Sequence, residues 1–202
     1  MNSAPYRDSS VEQPVALHER AAENLSYIRD AMTRATAFTA LSGVGTVGMG
    51  VVAVAGAAVA SFRFTNHWWL GTWCVVACIA FGVGFAGLAW KARRTATPLL
   101  SGPGRRMATS FAPPVVAGAV LTAVFSHLGI EEWLPGTWLL LYGAGVVTGG
   151  AFSVRIVPLM GLCFMAAGVT TFAGMMLWGL VPVGDMGMAV GFGAINIAFG
   201  LV

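Results

Sequence analysis

The sequence KARRTATPLLSGPGRR, from Lys91 to Arg106, separates two long apolar stretches of the chain. It contains five of the eleven Lys and Arg residues of the protein. A basic loop between two apolar segments of membrane-spanning length stays on the cytoplasmic side of a bilayer, and it orients the segments that flank it. This stretch therefore indicates a polytopic membrane protein and sets the direction of its helices.

The composition supports the same class of protein. Hydrophobic residues make up 57% of the chain and charged residues only 9%, whereas a soluble domain carries about a quarter charged residues. The net charge of +3 is not a nucleic-acid signature, because the cations flank apolar segments. The expected partner is the lipid bilayer, and no nucleic acid is expected.

The chain divides into three regions by pattern. Residues 1–16 contain prolines and serines without periodicity, and are predicted to be disordered. Residues 17–36 place apolar side chains on one face and are predicted to form a cytoplasmic amphipathic helix. Residues 37–202 form the transmembrane domain, in which six segments are long enough to span: 37–62, 68–90, 107–128, 136–154, 156–181 and 186–202.

The predicted fold class is therefore all-α, a bundle of six transmembrane helices in three hairpins, preceded by the amphipathic helix. Ten of the eleven Lys and Arg residues fall on one side of it, and Arg63 alone falls on the other. By the positive-inside rule, both termini are predicted to be cytoplasmic. No cationic flank follows span six before Val202, which favours a chain that continues beyond it.

Tryptophans mark the predicted outer ends of the spans. An indole ring is apolar with a single donor and prefers the lipid–water interface, so these residues are expected to form an outer belt. Its members are Trp68, Trp69, Trp73, Trp133, Trp138 and Trp178.

Residues with catalytic or metal-binding potential are few. No Asp, Glu, Lys or Arg lies at the centre of a predicted span, and the chain has no HExxH motif and no phosphate-binding loop. We therefore expect no enzyme activity, no catalytic residues, no cofactor and no metal. Cys74 and Cys78, one turn apart, and the methionines near spans five and six could suit Cu(I), but soft packing residues in apolar helices fit this pattern better.

Two motifs have a structural interpretation that we prefer. Residues 43–48 spell GxGxxG but follow no strand, so close helix packing is favoured over a dinucleotide site. Pro113 and Pro114 predict that the membrane helix of span three begins at Pro113, with a hinge or broken helix as the alternative.

Asn196 is the one amide at membrane depth, and its side chain must find a hydrogen-bond partner. The candidate residues for polar lining or helix packing are Asn196, Thr148, Thr170 and Thr171. We expect a non-enzymatic accessory, sensory or assembly component of the membrane. The alternative is a small transporter or channel for a neutral or weakly polar solute. A hydrated cavity at mid-membrane that reaches Asn196 would favour this alternative, and a solid bundle with an exposed face of small residues would favour the accessory role.

The amphipathic helix is the candidate docking element, through Leu25, Ile28 and Met32. Residues 1–36 carry four cations against five acidic residues, whereas helices that anchor to anionic lipid are rich in Lys and Arg. We therefore expect its apolar stripe to pack on protein: the inner ends of its own bundle, a partner membrane protein or a second copy.

The segment from Glu23 to Ala40 follows the pattern ENLxxIRxxMxRAxxFTA. It resembles a family of uncharacterised bacterial multi-pass inner-membrane proteins with six helices. The resemblance implies a location in the bacterial inner membrane and no particular activity.

Overall fold

The computed structural model describes residues 20, 22–29, 42–62, 66–95, 102–151, 156–178 and 182–202. Regular structure in this part of the chain is helical throughout, and none of these residues forms a β-strand. The all-α fold class predicted from the sequence is thereby confirmed for the described residues. The chain divides into two compact units, Met1–Thr36 and Ala37–Val202.

In the first unit, residues 22–29 form a helix, α1, whose side chains are all exposed. They fall within the predicted amphipathic helix 17–36. Met32 and the predicted disordered residues 1–16 lie outside the described residues.

The second unit contains the remaining helices. They are α2 (Gly43–Ala60), α3 (Asn66–Thr95), α4 (Gly102–Leu128), a 3₁₀-helix (Glu131–Trp133), α5 (Leu134–Gly150), α6 (Ile156–Trp178), α7 (Pro182–Met188), a π-helix (Ala189–Ile195) and α8 (Asn196–Gly200). The last three follow one another without a break, and we call them together the final helix.

Four helices of the described part are long and apolar enough to cross a membrane. Their spanning stretches are Gly43–Ala60, Trp68–Arg94, Met107–Leu128 and Ile156–Leu177. These stretches fall at predicted spans one, two, three and five. α5 has 17 residues, and the π-helix divides the final helix, so neither of these belongs to the set of four.

The helices of this unit pack in a defined order. α2 packs on α3, α4 packs on α5, and α5 packs on α6. The final helix contacts α2 as well as α5 and α6, so it joins the two groups of helices. Among the described residues, α3 and α4 pack on α2 and α5, respectively, and make little contact with each other. They therefore form the two edges of a gap in the bundle.

Glycines let α2 approach two of its neighbours closely. A Cβ atom built on Gly87 of α3 would lie 2.8 Å from the Cα atom of Gly45. On another face of α2, a Cβ atom on Gly50 would lie 2.8 Å from the carbonyl oxygen of Gly193 in the final helix. Close van der Waals packing of this kind is what holds helices together in lipid. At Gly45, the packing interpretation of the 43–48 motif is confirmed.

α4 continues as a helix through Pro113 and Pro114, so the expectation that it begins at Pro113 is wrong. Pro114 has no N–H, and the carbonyl of Ser110 therefore loses its donor within the helix. The Oγ1 atom of Thr148 on α5 lies 3.3 Å from that carbonyl oxygen and 2.9 Å from the carbonyl oxygen of Ala144. A hydroxyl of the neighbouring helix is thus placed to supply the missing donor, which is how proline is tolerated in membrane helices.

This contact predicts different effects for two threonines. Thr148→Val should lower the free energy of unfolding by about 0.5–1.5 kcal/mol, because the Ser110 carbonyl then has no donor in an apolar environment. Thr170→Val is the matched control, since the exposed Thr170 donates only to the carbonyl of Ala167 in its own helix. Unfolding in mixed micelles, followed by circular dichroism, measures both. Equal effects of the two substitutions would contradict the proposed role of Thr148.

Candidate functional site

A cavity of about 480 Å³ lies at the gap between α3 and α4. Its edges include the exposed side chains of Phe81 on α3 and Val115 on α4. Its floor includes the buried side chains of Trp73, Met188 and Asn196. The cavity therefore opens to the outside of the bundle between α3 and α4, and its volume falls in the range of about 300–1,000 Å³ that is typical of ligand sites.

Asn196 supplies one of two unpartnered polar atoms of the floor. Its side chain is 2% exposed, and its Nδ2 atom donates to the carbonyl oxygen of Phe192, 2.8 Å away. Its Oδ1 atom is buried and has no hydrogen-bond partner among the described residues. Asn196 directly follows the π-helix, and such wide turns occur frequently at functional sites.

Trp73 supplies the second such atom. The residue is 3% exposed, and its Nε1 donor is buried without an acceptor in the described part of the chain. Its ring packs in a cluster with Trp69, Leu134 and Met188. Trp73 and Asn196 thus both line the cavity, and each has one buried polar atom that finds no partner among the described residues.

Two other tryptophans near the cavity make their contacts within the protein. Trp69 donates from Nε1 to the Oδ1 atom of Asp185, 2.7 Å away, and its ring stacks on Trp138 with centroids 5.9 Å apart. Trp138 donates from Nε1 to the Oγ1 atom of Thr122 at 2.8 Å. Because their indole donors find acceptors inside the bundle, these residues need no interfacial water.

The outer tryptophan belt is therefore wrong for part of its predicted members. Trp69 and Trp73 are buried in the bundle, each with 3% exposure, while Trp68 is exposed. The side chain of Trp178 lies outside the described residues. An indole ring prefers the lipid–water interface because its N–H group needs an acceptor there. Where the bundle itself supplies an acceptor, as Asp185 does for Trp69, the ring can be buried instead.

Aromatic side chains form the inner part of the cavity wall. The ring of Tyr142 contacts those of Phe111 and Phe192, with centroid distances of 5.5 and 5.1 Å. Behind this wall, the fully buried Phe164 packs edge-on against Tyr142 at 4.7 Å. Edge-to-face contacts are a favoured geometry for aromatic pairs, so this part of the wall is closely packed as well as apolar.

The cavity lining contains no charged side chain among the described residues. An ion entering it would lose its hydration without compensation, which is strongly unfavourable. An apolar molecule meets the opposite conditions, since it gains contact with the wall. The arrangement can therefore bind a neutral molecule.

The structure places the four predicted polar residues in different surroundings. Of the four predicted polar lining or packing residues, only Asn196 lines the cavity. Thr171 is buried against the final helix and donates to the carbonyl of Ala167 at 2.8 Å. Thr170 is exposed and donates to the same carbonyl. Thr148 connects α5 to α4 as described above.

Sequence reasoning missed Trp73 and Thr122 as lining residues. Both lie near the outer ends of predicted spans, where a tryptophan is expected at the interface and a threonine is expected to bond within its helix. Thr122 does donate to the carbonyl of Gly118, four residues earlier, and it also accepts from Trp138. Of the Cys74 and Cys78 pair, only Cys74 lines the cavity. No pattern along one helix could have indicated these positions, because the cavity joins residues from five helices.

No sequence family, curated protein or solved structure matches this chain. The resemblance of residues 23–40 to bacterial multi-pass membrane proteins therefore stays a prediction, and the functional argument depends on the geometry alone.

Proposed function

We propose that this protein is a non-enzymatic integral membrane protein that takes up a neutral small molecule in the cavity between α3 and α4. The observation that carries the proposal is a cavity of about 480 Å³ that reaches the buried amide of Asn196. This favours the small transporter or channel alternative over the accessory, sensory or assembly role. The apolar wall favours a solute of the bilayer itself over a hydrated one.

A cavity-filling substitution tests this function directly. Gly118 on α4 lines the cavity, and a Cβ atom added there would meet only Leu141 Cδ1, at 3.7 Å. Gly118→Leu should therefore fill part of the cavity without disturbing the helix contacts. Gly82→Leu is the matched control, since Gly82 is exposed on α3, lies outside the cavity lining and has no atom within 4 Å of an added Cβ.

The measurement is quenching of tryptophan fluorescence by dibromododecane in phosphatidylcholine vesicles. Trp73 and Trp138 line the cavity, and bromine quenches an indole only near contact. We expect quenching of the wild type and of Gly82→Leu to saturate. Gly118→Leu should raise the half-saturating mole fraction roughly tenfold, which corresponds to about 1.4 kcal/mol. Quenching that rises linearly and equally in all three proteins would contradict the proposed function.

We further propose six membrane crossings, arranged in three hairpins, with both termini in the cytoplasm of a bacterium. α5 and the final helix would supply the fourth and sixth crossings, since each packs along helices that are long enough to span. At the proposed inner end of α3, the guanidinium of Arg94 lies 3.9 Å from the centroid of the Trp90 ring. An interfacial tryptophan beside a cation is typical of the cytoplasmic end of a span.

An engineered cysteine tests this orientation. Ser101→Cys, in a chain whose three native cysteines are replaced by alanine, places a thiol in the basic stretch between α3 and α4. We expect an impermeant maleimide to label it in inverted membrane vesicles and not in intact cells. Labelling of intact cells from outside would reverse the proposed orientation.

One observation, on α1, supports the accessory role. Leu25 and Ile28, on its apolar stripe, are 67% and 52% exposed. Burying a large aliphatic side chain gains about 1.5–3 kcal/mol, so such a stripe favours a covered state. We propose that α1 docks on a protein surface, of this chain, of a second copy or of a partner membrane protein, and not on anionic lipid.

A double substitution on the stripe distinguishes docking on protein from docking on lipid. Leu25→Ser with Ile28→Ser should reduce recovery of co-purifying protein, or lower the thermal stability of the purified protein, because the stripe loses its apolar contacts. Tyr27→Ser is the control, since Tyr27 is 70% exposed and lies off the stripe. If the double variant behaves like the control, while a peptide of residues 17–36 binds anionic vesicles, the docking surface is lipid.

A further inference from the structure

We propose that the occupant of the cavity is a single unbranched hydrocarbon chain, such as an acyl chain of a bilayer lipid, which enters sideways between α3 and α4 and lies along the helices. This inference rests on the proposed function and names its ligand class. The chain belongs either to a phospholipid or to a single-chain molecule, and the experiments below distinguish these two sources.

The surface that the cavity presents to a ligand is almost entirely apolar. Two polar groups of its lining are already engaged within the protein. Trp138 donates from Nε1 to the Oγ1 atom of Thr122, and the Nδ2 atom of Asn196 donates to a carbonyl oxygen of its own helix. A polar head group in the cavity would lose its water without gaining matching partners, whereas a hydrocarbon chain has no such cost. The chain therefore enters, and a head group stays outside.

The lining residues show that the cavity is elongated along the helix axes. On α4 they follow one helix face, at Phe111, Pro114, Val115, Gly118, Ala119 and Thr122. At a rise of about 1.5 Å per residue, this α4 stripe is about 16 Å long. On α3 the lining runs from Trp73 to Phe81, a distance of about 12 Å along the helix. A volume of about 480 Å³ drawn out over such a length is long and narrow, which suits an extended chain better than a compact ring system.

The direction of the cavity matches that of the lipid chains around it. α3 and α4 are both long and apolar enough to cross a membrane, so a cavity that runs along them is roughly parallel to the acyl chains of a bilayer. The mouth lies along the same two helices, with the exposed side chains of Phe81 and Val115 at its edges. A chain can therefore move sideways from the bilayer into the cavity without turning, and its head group need not cross the apolar region.

The filling of empty space favours binding from the bilayer. A chain that leaves lipid for the cavity exchanges one apolar environment for another, so the hydrophobic effect contributes little. The chain gains dispersion contacts with lining atoms that would otherwise face a void. These contacts increase with the length of the cavity that is filled, so an extended chain gains more of them than a compact molecule.

The shape of the probe tests the ligand class. The quenching experiment is repeated with dibromoadamantane, a compact hydrocarbon cage, beside the linear dibromododecane. For the wild type and for Gly82→Leu, the cage should half-saturate at a mole fraction roughly tenfold above that of the linear probe, because it leaves much of the cavity unfilled. Gly118 lies within the α4 stripe and not at its end, so Gly118→Leu should obstruct the linear probe more than the cage and remove most of this preference.

A second pair of variants guards against misfolding of the first. Ala119 lines the cavity, while Ala117 on the same helix is exposed and lies outside the lining. Ala119→Leu should therefore reduce the preference for the linear probe, and Ala117→Leu should retain it. Circular dichroism and thermal unfolding verify that the variants are folded.

Photo-crosslinking identifies the source of the chain. Two probes carry a diazirine in the middle of an unbranched chain, one as a phosphatidylcholine and one as a single-chain alcohol. Labelling of the α4 stripe is measured by mass spectrometry relative to that of Leu159 and Leu162, which are exposed on α6 and lie outside the cavity lining. Gly118→Leu and Ala119→Leu should lower this ratio for the probe that occupies the cavity. A decrease with the phosphatidylcholine probe assigns the chain to a phospholipid, and a decrease with the alcohol alone assigns it to a single-chain molecule.

Three results would overturn the inference. Equal half-saturation by the linear probe and the cage in the wild type would mean that the cavity does not select an extended chain. A preference for the linear probe that survives in both Gly118→Leu and Ala119→Leu would place the chain elsewhere. Labelling of the α4 stripe that neither variant changes, with either chain probe, would mean that chains contact only the outside of the helix. In each case saturable quenching by dibromododecane that Gly118→Leu weakens would leave the proposed function intact, whereas linear and equal quenching in all proteins would remove both.

Discussion

The close backbone contact of α2 with its two neighbours is the constraint on which the bundle depends. Lipid tails are as apolar as leucine, so hydrophobicity does not hold these helices together, and packing distance does. At Gly87, which faces Gly45, and at Gly50, which faces Gly193, there is no room for a side chain between the backbones. α3 and the final helix are thereby fixed on two faces of α2, and the final helix in turn contacts α5 and α6.

The cavity is a consequence of this arrangement. α3 is fixed by α2, and α4 by α5, so neither edge helix is drawn against the other. The space between them is bounded by large side chains whose rings are fixed by their neighbours, as in the contacts of Tyr142 with Phe164 and of Trp69 with Trp138.

Polar groups at membrane depth fall into two classes in this protein. Thr122, Thr148 and Thr171 donate to backbone carbonyls and so stabilise helices or their contacts. Trp73 and Asn196 each have one buried polar atom without a partner in the described part of the chain. Such an atom is unfavourable for folding, and both of these residues line the cavity.

The helical class, the positions of the apolar segments and the importance of small residues could be predicted from the sequence, because they follow from composition and from periodicity along one helix. Asn196 could also be recognised, since an amide within an apolar run is conspicuous without any neighbour. The burial of Trp73 in the core could not be predicted, nor could the passage of α4 through Pro113 and Pro114 with a hydroxyl of α5 beside the freed carbonyl. Each of these outcomes depends on which groups the neighbouring helices place nearby. A pattern within a single segment does not contain that information.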